Sequence, residues 1–305
     1  MSSHDSVPAS RKNNDASNDA ASPDAQPELA PGLYVVGTPI GNLRDITLRA
    51  MDVLRAVDVI AAEDTRTSAP LLASFGARAQ LIAAHDHNED AVARRILDLL
   101  AAGRPVALIS DAGTPAVSDP GARIVRAVLA AGFTVSPVPG PSAAISALSV
   151  SGCEGPFLFA GFTPPRSAAR RAVLRELALL THTVVLYEAP HRIVDLACDL
   201  ALEFEPGRRI VVMRELTKRF ETVHALAIGE LRDWLVTDPN RQRGEFVLVI
   251  DGLRERDDDR IEADRILRLL LEELPVRSAA KIAAAITGQA KNALYRRALE
   301  LKGAA

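Results

Sequence analysis

From Leu33 onward the chain alternates short apolar runs with amphipathic stretches, and that alternation leaves few folds open. The first runs are Leu33-Tyr-Val-Val-Gly37, Val57-Asp-Val-Ile-Ala61, Gln80-Leu-Ile-Ala83, Val106-Ala-Leu-Ile109 and Phe133-Thr-Val-Ser-Pro137. Between them lie helical patterns. Asn88-Glu-Asp opens one, which repeats apolar residues at Val92, Ile96, Leu99 and Leu100 and stops at Gly103. Asp119-Pro120 is expected to open another, with Asp119 as the cap, Pro120 at the first helical position and Gly132 closing it. Short apolar strands alternating with capped helices predict a mainly parallel sheet covered on both faces.

A second α/β set follows, with strands at Phe157-Leu-Phe-Ala160, Thr183-Val-Val-Leu-Tyr187, Arg209-Ile-Val-Val-Met213, His224-Ala-Leu-Ala227 and Phe246-Val-Leu-Val-Ile250. Helices are expected near 168–180, 190–203 and 229–236. A charged linker, 254–260, precedes three short helices at 261–273, 276–286 and 289–301, punctuated by Pro275 and Gly288. The last two resemble a helix-turn-helix. The expected domains are therefore 32–145, 146–252 and 258–305. Residues 1–31 are too poor in apolar side chains to offset their ordering entropy and read as a disordered arm.

Composition narrows the function less than the pattern does. Hydrophobic residues make up 48% of 305 residues, enough for real cores, while the net charge is only −3. A nucleic-acid partner therefore needs a local basic surface. Residues 275–305 offer one, with six Lys or Arg against a single acid, Glu300. The two cysteines, Cys153 and Cys198, form no CxxC pair. This argues against a disulfide framework or a zinc site and fits a reducing cytosol. No apolar run approaches the roughly 18 residues of a membrane span, and the first thirty residues lack the apolar core of a secretory signal.

Chemistry in an open α/β sheet sits beyond the carboxyl ends of the strands. Three loops there are unusual: Gly37-Thr-Pro-Ile-Gly41-Asn-Leu-Arg-Asp45-Ile-Thr47, Ser110-Asp111-Ala-Gly113-Thr114-Pro115-Ala-Val-Ser118-Asp119-Pro120, and Val138-Pro139-Gly140-Pro141-Ser142-Ala143. The first is neither GxGxxG nor a phosphate loop, which disfavours dinucleotides and nucleoside triphosphates. The second, rigid and polar, is a poor choice for a mere connection, the alternative being that Asp111 is a simple turn residue. In the third, Ser142 is expected to cap a helix whose N-terminus can present amides to a ligand. All three are expected to converge on one crevice.

The runs Tyr34-Val-Val-Gly-Thr-Pro-Ile-Gly-Asn-Leu-Arg-Asp-Ile-Thr47, Ala62-Glu-Asp-Thr-Arg66, Ser110-Asp-Ala-Gly-Thr-Pro115, Pro139-Gly-Pro-Ser-Ala143, Leu186-Tyr-Glu-Ala-Pro-His-Arg192 and Arg214-Glu-Leu-Thr-Lys218 occur in that order. Together they resemble the small-subunit ribosomal RNA 2'-O-methyltransferase I group of the tetrapyrrole-methylase-like, or class III, methyltransferases. The resemblance covers about 33–303. It implies two α/β domains of the tetrapyrrole-methylase type with S-adenosylmethionine in the cleft between them, a small C-terminal helical domain, and a cytoplasmic homodimer. The implied substrate is a cytidine ribose in the decoding region of 16S rRNA within the small subunit. Expected cofactor-binding residues are Thr38, Pro39 and Gly41; Asp111, Gly113, Thr114 and Pro115; Pro139, Gly140, Ser142 and Ala143; and Tyr187. No metal is expected.

Methyl transfer from a sulfonium is an in-line displacement, so alignment and exclusion of water dominate. The acceptor hydroxyl is a weak acid and needs help losing its proton. Glu63, Asp64, Glu215 and Lys218 are the principal candidates, with Glu188 and His191 beside them; the alternative for Glu63 and Asp64, and for Glu215, is a structural ion pair, and for His191 a helix-start residue. Two basic segments are candidates for RNA: Arg166, Arg170 and Arg171, with Arg175 beside them, and Lys291, Arg296 and Arg297. Each has the alternative of a solvated helix face. Two rival functions stand: a same-fold methyltransferase acting on a tetrapyrrole, and a ligand-sensing nucleic-acid-binding regulator.

Overall fold

The computed structural model describes residues 29–253 and 257–303. The expected arm lies outside them through residue 28, as do linker residues 254–256. The chain divides into two compact units, one up to Pro141 and one from Ser142 onward.

The first unit runs β1 (Leu33–Val36), α1 (Leu48–Ala56), β2 (Val59–Ala62), α2 (Thr65–Ser74), β3 (Gln80–Ala83), α3 (Glu89–Ala101), β4 (Val106–Ile109), α4 (Ala122–Ala130) and β5 (Val135–Val138). Its strands form a sheet in the order β3-β2-β4-β1-β5, with every pairing parallel. β2 and β4 are buried along their whole length. Alternate side chains serve opposite faces. Val59, Ala61, Val106 and Leu108 join Val92, Ile96 and Leu100 of α3 and Ile124 and Val128 of α4. Ile60, Ala62, Ala107 and Ile109 join Ala50, Val53 and Leu54 of α1 and Leu72 of α2.

This connectivity defines a switch point. β1 and β4 are neighbours, yet β1 leads through α1 to β2 on one side, and β4 leads through α4, on the other face, to β5 on the other side. In such sheets ligands bind beyond the strand ends at the point where the connections depart in opposite directions.

One helix start differs from expectation. α4 begins at Ala122, with Gly121 at the cap position in a positive-φ conformation (φ 131°), so Asp119 is not its cap. The Gly121 N–H instead donates to the buried carboxylate of Glu89 (2.6 Å). Ser142 does stand at the cap position of its helix, but its side chain makes no capping hydrogen bond.

The second unit contains α5 (Ala143–Ser151), β6 (Phe157–Phe162), α6 (Ser167–Ala178), β7 (Thr183–Glu188), α7 (Ile193–Glu203), β8 (Arg209–Arg214), β9 (Thr222–Ala227), α8 (Ile228–Thr237) and β10 (Phe246–Ile250). The sheet order is β6-β7-β10-β8-β9. Here β6 and β7 are parallel, while β10 runs antiparallel to both β7 and β8, and β9 antiparallel to β8. α6, α7 and α8 cover one face and α5 the other.

The chain ends in α9 (Asp257–Glu273), α10 (Val276–Thr287) and α11 (Lys291–Gly303). α9 thus starts inside the stretch expected as linker. These helices have their own core of Ala263, Leu267, Ala280, Ala283, Leu294 and Ala298. Gly288 closes α10 in the left-handed conformation. No described helix is long and apolar enough to cross a membrane.

Candidate active site

The three singled-out loops meet at the carboxyl edge of the parallel sheet. Thr38 is fully buried. Its N–H donates to the Gly113 carbonyl (2.8 Å), and the Gly113 N–H donates back (3.1 Å), so the loops after β1 and β4 are zipped by a two-way backbone bridge. The Thr38 hydroxyl also lies 3.3 Å from the carbonyls of Ser110 and Gly113. The loop after β5 closes the group. Gly37 N–H donates to Val138 O (3.1 Å), and the Thr114 hydroxyl donates to Pro141 O (3.1 Å). Gly37 and Gly140 touch backbone to backbone: a Cβ at Gly37 would lie 2.8 Å from Gly140 Cα. Only glycine allows such an approach. The loops bearing Thr38, Pro39 and Gly41, Asp111 to Pro115, and Pro139 and Gly140 are therefore one constellation.

Carboxylates gather along the same edge. The Asp111 N–H donates to Glu63 Oε2 (3.3 Å), and the Asp64 N–H donates to Asp111 Oδ1 (3.1 Å). Burial pushes the Glu63 carboxyl up, against the Asp111 hydrogen bond, and the charges of Asp119, Asp111 and Asp86 add to the rise. Asp119 is raised as well, chiefly by burial, with the Ser110 hydroxyl opposing and the Asp111 charge adding. Asp64 behaves differently. It caps α2 through the Arg66 N–H (2.8 Å) and grips the Arg66 guanidinium (2.7 Å), whose side-chain hydrogen bonds first, and backbone bond second, hold it down at about 2.

In the second unit, Glu215 and Lys218 come together. Lys218 Nζ lies 3.0 Å from Glu215 Oε1 and 2.9 Å from Glu245 Oε2, and the Glu245 N–H donates to Glu215 Oε1 (3.0 Å). Gly244 makes room: a Cβ there would meet the Glu215 carboxyl at 2.5 Å. The loop is strained, since Glu215 (φ 55°) and the β-branched Thr217 (φ 65°) both take positive φ. Arg214 Nε and Thr217 Oγ1 are buried without a hydrogen-bond partner among the described residues. Such strain costs on the order of 1–3 kcal/mol per residue and collects at functional sites. Burial pushes Glu215 up, but the Glu245 amide and Lys218 win and hold it below the usual carboxylate range. Burial lowers Lys218, while Glu245 and Glu215 prevail and raise it.

Elsewhere, Glu188 is structural. It is buried, accepts from the Thr163 hydroxyl (3.1 Å) and its neighbour's N–H (2.9 Å), and pairs with Arg192 (3.2 Å). His191 is exposed and precedes α7. The Tyr187 hydroxyl accepts the Ala144 N–H (2.9 Å), so Tyr187 holds the N-terminus of α5, which Ser142 and Ala143 open.

The basic candidates separate sharply. Arg170 is buried and paired with Asp199 (2.6 Å), so it is a core residue and not a surface contact. Arg171 and Arg175 share Glu203 (2.6 and 3.0 Å), while Arg166 is exposed. Arg297 is tied to Asp264 (2.5 Å) and Glu300 (2.8 Å), joining α11 to α9. Lys291 and Arg296 are exposed. Glu89, Gly244 and Glu245 carry no mark in the sequence, because what places them is contact across long stretches of chain.

Residues 32–232 match the model of the Tetrapyrrole (Corrin/Porphyrin) Methylases, about two-thirds of the chain, which therefore belongs to that family. Residues 257–302 match the RsmI C-terminal HTH domain. The chain is 48% identical over 274 residues to ribosomal RNA small subunit methyltransferase I of Escherichia coli O157:H7, covering 89% of this chain and 96% of that one. It is 51% identical over 268 residues to the protein of the same name from Xylella fastidiosa, covering 87% and 98%. Within the methylases, then, it belongs with the ribosomal RNA small subunit methyltransferases I. Among solved structures, uroporphyrin-III C-methyltransferase of Thermus thermophilus, complexed with S-adenosyl homocysteine, shares the fold (TM-score 0.52, 21% identity, 72% of this chain and 97% of that one).

Proposed function

We propose that the chain transfers the methyl group of S-adenosylmethionine to the ribose 2'-hydroxyl of a cytidine in the decoding region of 16S rRNA, within the small ribosomal subunit, acting in the cytoplasm as a homodimer. The observation that carries this reading is the zipped constellation of the 37–41, 110–115 and 138–141 loops at the switch point of the parallel sheet. A cofactor that is zwitterionic at one end and aromatic at the other suits this donor set. Backbone amides and carbonyls at close-packed glycines bind polar groups without a side-chain barrier, and the carboxylates at Glu63 and Asp111 favour a sulfonium. The donor, when bound, supplies an electrophilic methyl carbon. Thr38, Gly113, Thr114 and Gly140 fix the loops that hold it, and the Tyr187 hydroxyl holds the start of α5, which Ser142 and Ala143 open.

Of the four proton-handling candidates, Glu63 has the character of a base. Burial raises its carboxyl above the ordinary carboxylate value, which makes it a stronger base than a free carboxylate. Asp64, at about 2 and bound to Arg66, does not. Lys218 is held protonated and serves with Glu215 as a fixed electrostatic clamp on the nucleotide. Of the basic candidates, Arg166, Lys291 and Arg296 are exposed and suited to meet phosphates, which position RNA without reading its bases.

Incubation with labelled S-adenosylmethionine and small ribosomal subunits, naked 16S rRNA, a tetrapyrrole or duplex DNA tests the reading. Label is expected at a cytidine 2'-oxygen of the rRNA. Label on the tetrapyrrole alone, or DNA binding without transfer, would remove it.

A further inference from the structure

In α11, Leu294 and Ala298 face the helical core, and Arg297 is held by Asp264 of α9. Another face is open. Lys291, Tyr295 and Leu299 stand four residues apart, with Lys302 three beyond, so all four share one strip of the helix. Asn292 and Arg296 flank it. Tyr295 is 39% and Leu299 49% exposed. Glu300, the one acid of this tail, lies elsewhere around the helix and is engaged by Arg297 (2.8 Å). The strip thus combines two lysines, an exposed aromatic ring and an exposed leucine, with Arg296 beside it.

α11 is the second helix of a helix-turn-helix, the position that enters the DNA major groove in such motifs. The major groove of A-form RNA is too deep and narrow to be read by side chains. If the substrate is rRNA, as proposed above, α11 cannot work by groove insertion. Unpaired RNA offers what this strip can hold: base faces that stack on an aromatic ring, and phosphates for the flanking cations. We infer that the Lys291–Lys302 strip of α11 binds single-stranded RNA, with the Tyr295 ring stacked on an unpaired base.

The test uses the full chain with a fluorescein-labelled single-stranded oligoribonucleotide, a hairpin duplex RNA and a duplex DNA, read by fluorescence anisotropy across a salt series. Tyr295→Ala should weaken single-strand binding by about tenfold, the scale of one lost stacking contact. Tyr295→Phe should bind like the parent. Lys291→Gln should reduce the salt slope by about one. Calorimetry with S-adenosylmethionine should show unchanged cofactor affinity in all three variants. Unchanged single-strand binding by Tyr295→Ala overturns the inference, as does Tyr295→Phe failing as badly as Tyr295→Ala. Tighter, Tyr295-dependent binding of duplex DNA overturns it too. Methyl transfer to small subunits, measured beside these, separates the two readings. Tyr295-dependent RNA binding without methylation would leave the strip standing and remove the catalytic proposal; methylation with RNA binding indifferent to Tyr295 would do the reverse.

Discussion

The two α/β units place their candidate groups at strand ends by opposite means. In the first, five parallel strands send their loops to one edge, and those loops are joined almost wholly by backbone: Thr38 to Gly113, Gly37 to Val138, Gly37 against Gly140. In the second, β10 runs antiparallel between β7 and β8, so its start, at Glu245, lies beside the ends of its neighbours. There side chains make the joints: Glu215, Lys218 and Glu245 in one cluster, Glu188, Arg192 and Thr163 in another. A backbone-built site is shaped by what is missing, since added atoms destroy it. A side-chain-built site is shaped by charge, so its integrity follows pH and salt.

The contrast breaks most directly at Gly37. An added methyl would sit 2.8 Å from Gly140 Cα and 3.0 Å from Gly140 N, atoms that cannot swing aside as a side chain would. Gly37→Ala should open the joint to Val138, cost on the order of 3 kcal/mol of stability and abolish S-adenosylmethionine binding by calorimetry. Gly103→Ala is the control. Gly103 has a positive φ, 77°, which Gly37 does not, but nothing lies within 4 Å of its would-be Cβ. It should lose about 1 kcal/mol and bind cofactor normally. Normal cofactor binding by Gly37→Ala would show that the three loops need not touch.

Glu63→Gln is next in size and tests the first unit's own exception, a charged group amid backbone. If Glu63 is the base, as proposed, its loss should cut kcat by about a hundredfold. Stability should move the other way. The folded Glu63 carboxyl is raised above its ordinary value, chiefly by burial. Its charge therefore opposes folding at neutral pH and ceases to do so as pH falls through the raised value. The variant should melt higher than the parent near pH 7, with the gap closing on acidification. A variant that is fully active, or that melts lower at neutral pH, removes Glu63 from the mechanism.

How far the sequence reveals this arrangement differs between the two units for the same reason. The strands are legible because their signal is local. Gln80–Ala83, Val106–Ile109 and Phe246–Ile250 appear where the apolar runs put them. The 37–41, 110–120 and 138–143 loops stand out because glycine and proline mark special backbone wherever they occur. Charge partnerships carry no such local mark. Arg170 looks like one of four exposed arginines on a helix until Asp199, 29 residues on, draws it into the core. Asp119-Pro120 has the composition of a helix start, yet Glu89, 32 residues earlier, takes the Gly121 amide and fixes the start there. Gly244 carries no sign that its missing Cβ houses the Glu215 carboxyl.

Lys218→Met probes the side-chain-built site and should have the smallest effect. It removes the cation shared by Glu215 and Glu245, whose carboxylates then repel at neutral pH. Glu215 is held below its ordinary value, so its contribution is present above the usual carboxylate range and lost as pH falls through the depressed value. Lys218 is raised, so its contribution holds from acid through neutral pH and is lost only as pH rises through the raised value. The variant's deficit should therefore be a plateau around neutrality, roughly 1 kcal/mol after allowing for solvent screening, that fades when Glu215 is protonated. Methyl transfer should show a KM for small subunits raised by about tenfold at nearly constant kcat, the pattern of lost uniform binding. Lys218→Met combined with Glu215→Gln should recover most of the stability but not the KM, because it relieves the repulsion without restoring the cation. A fall in kcat with unchanged KM would instead move Lys218 from the clamp to the reacting atoms, and the second unit could no longer be read as the one that only holds.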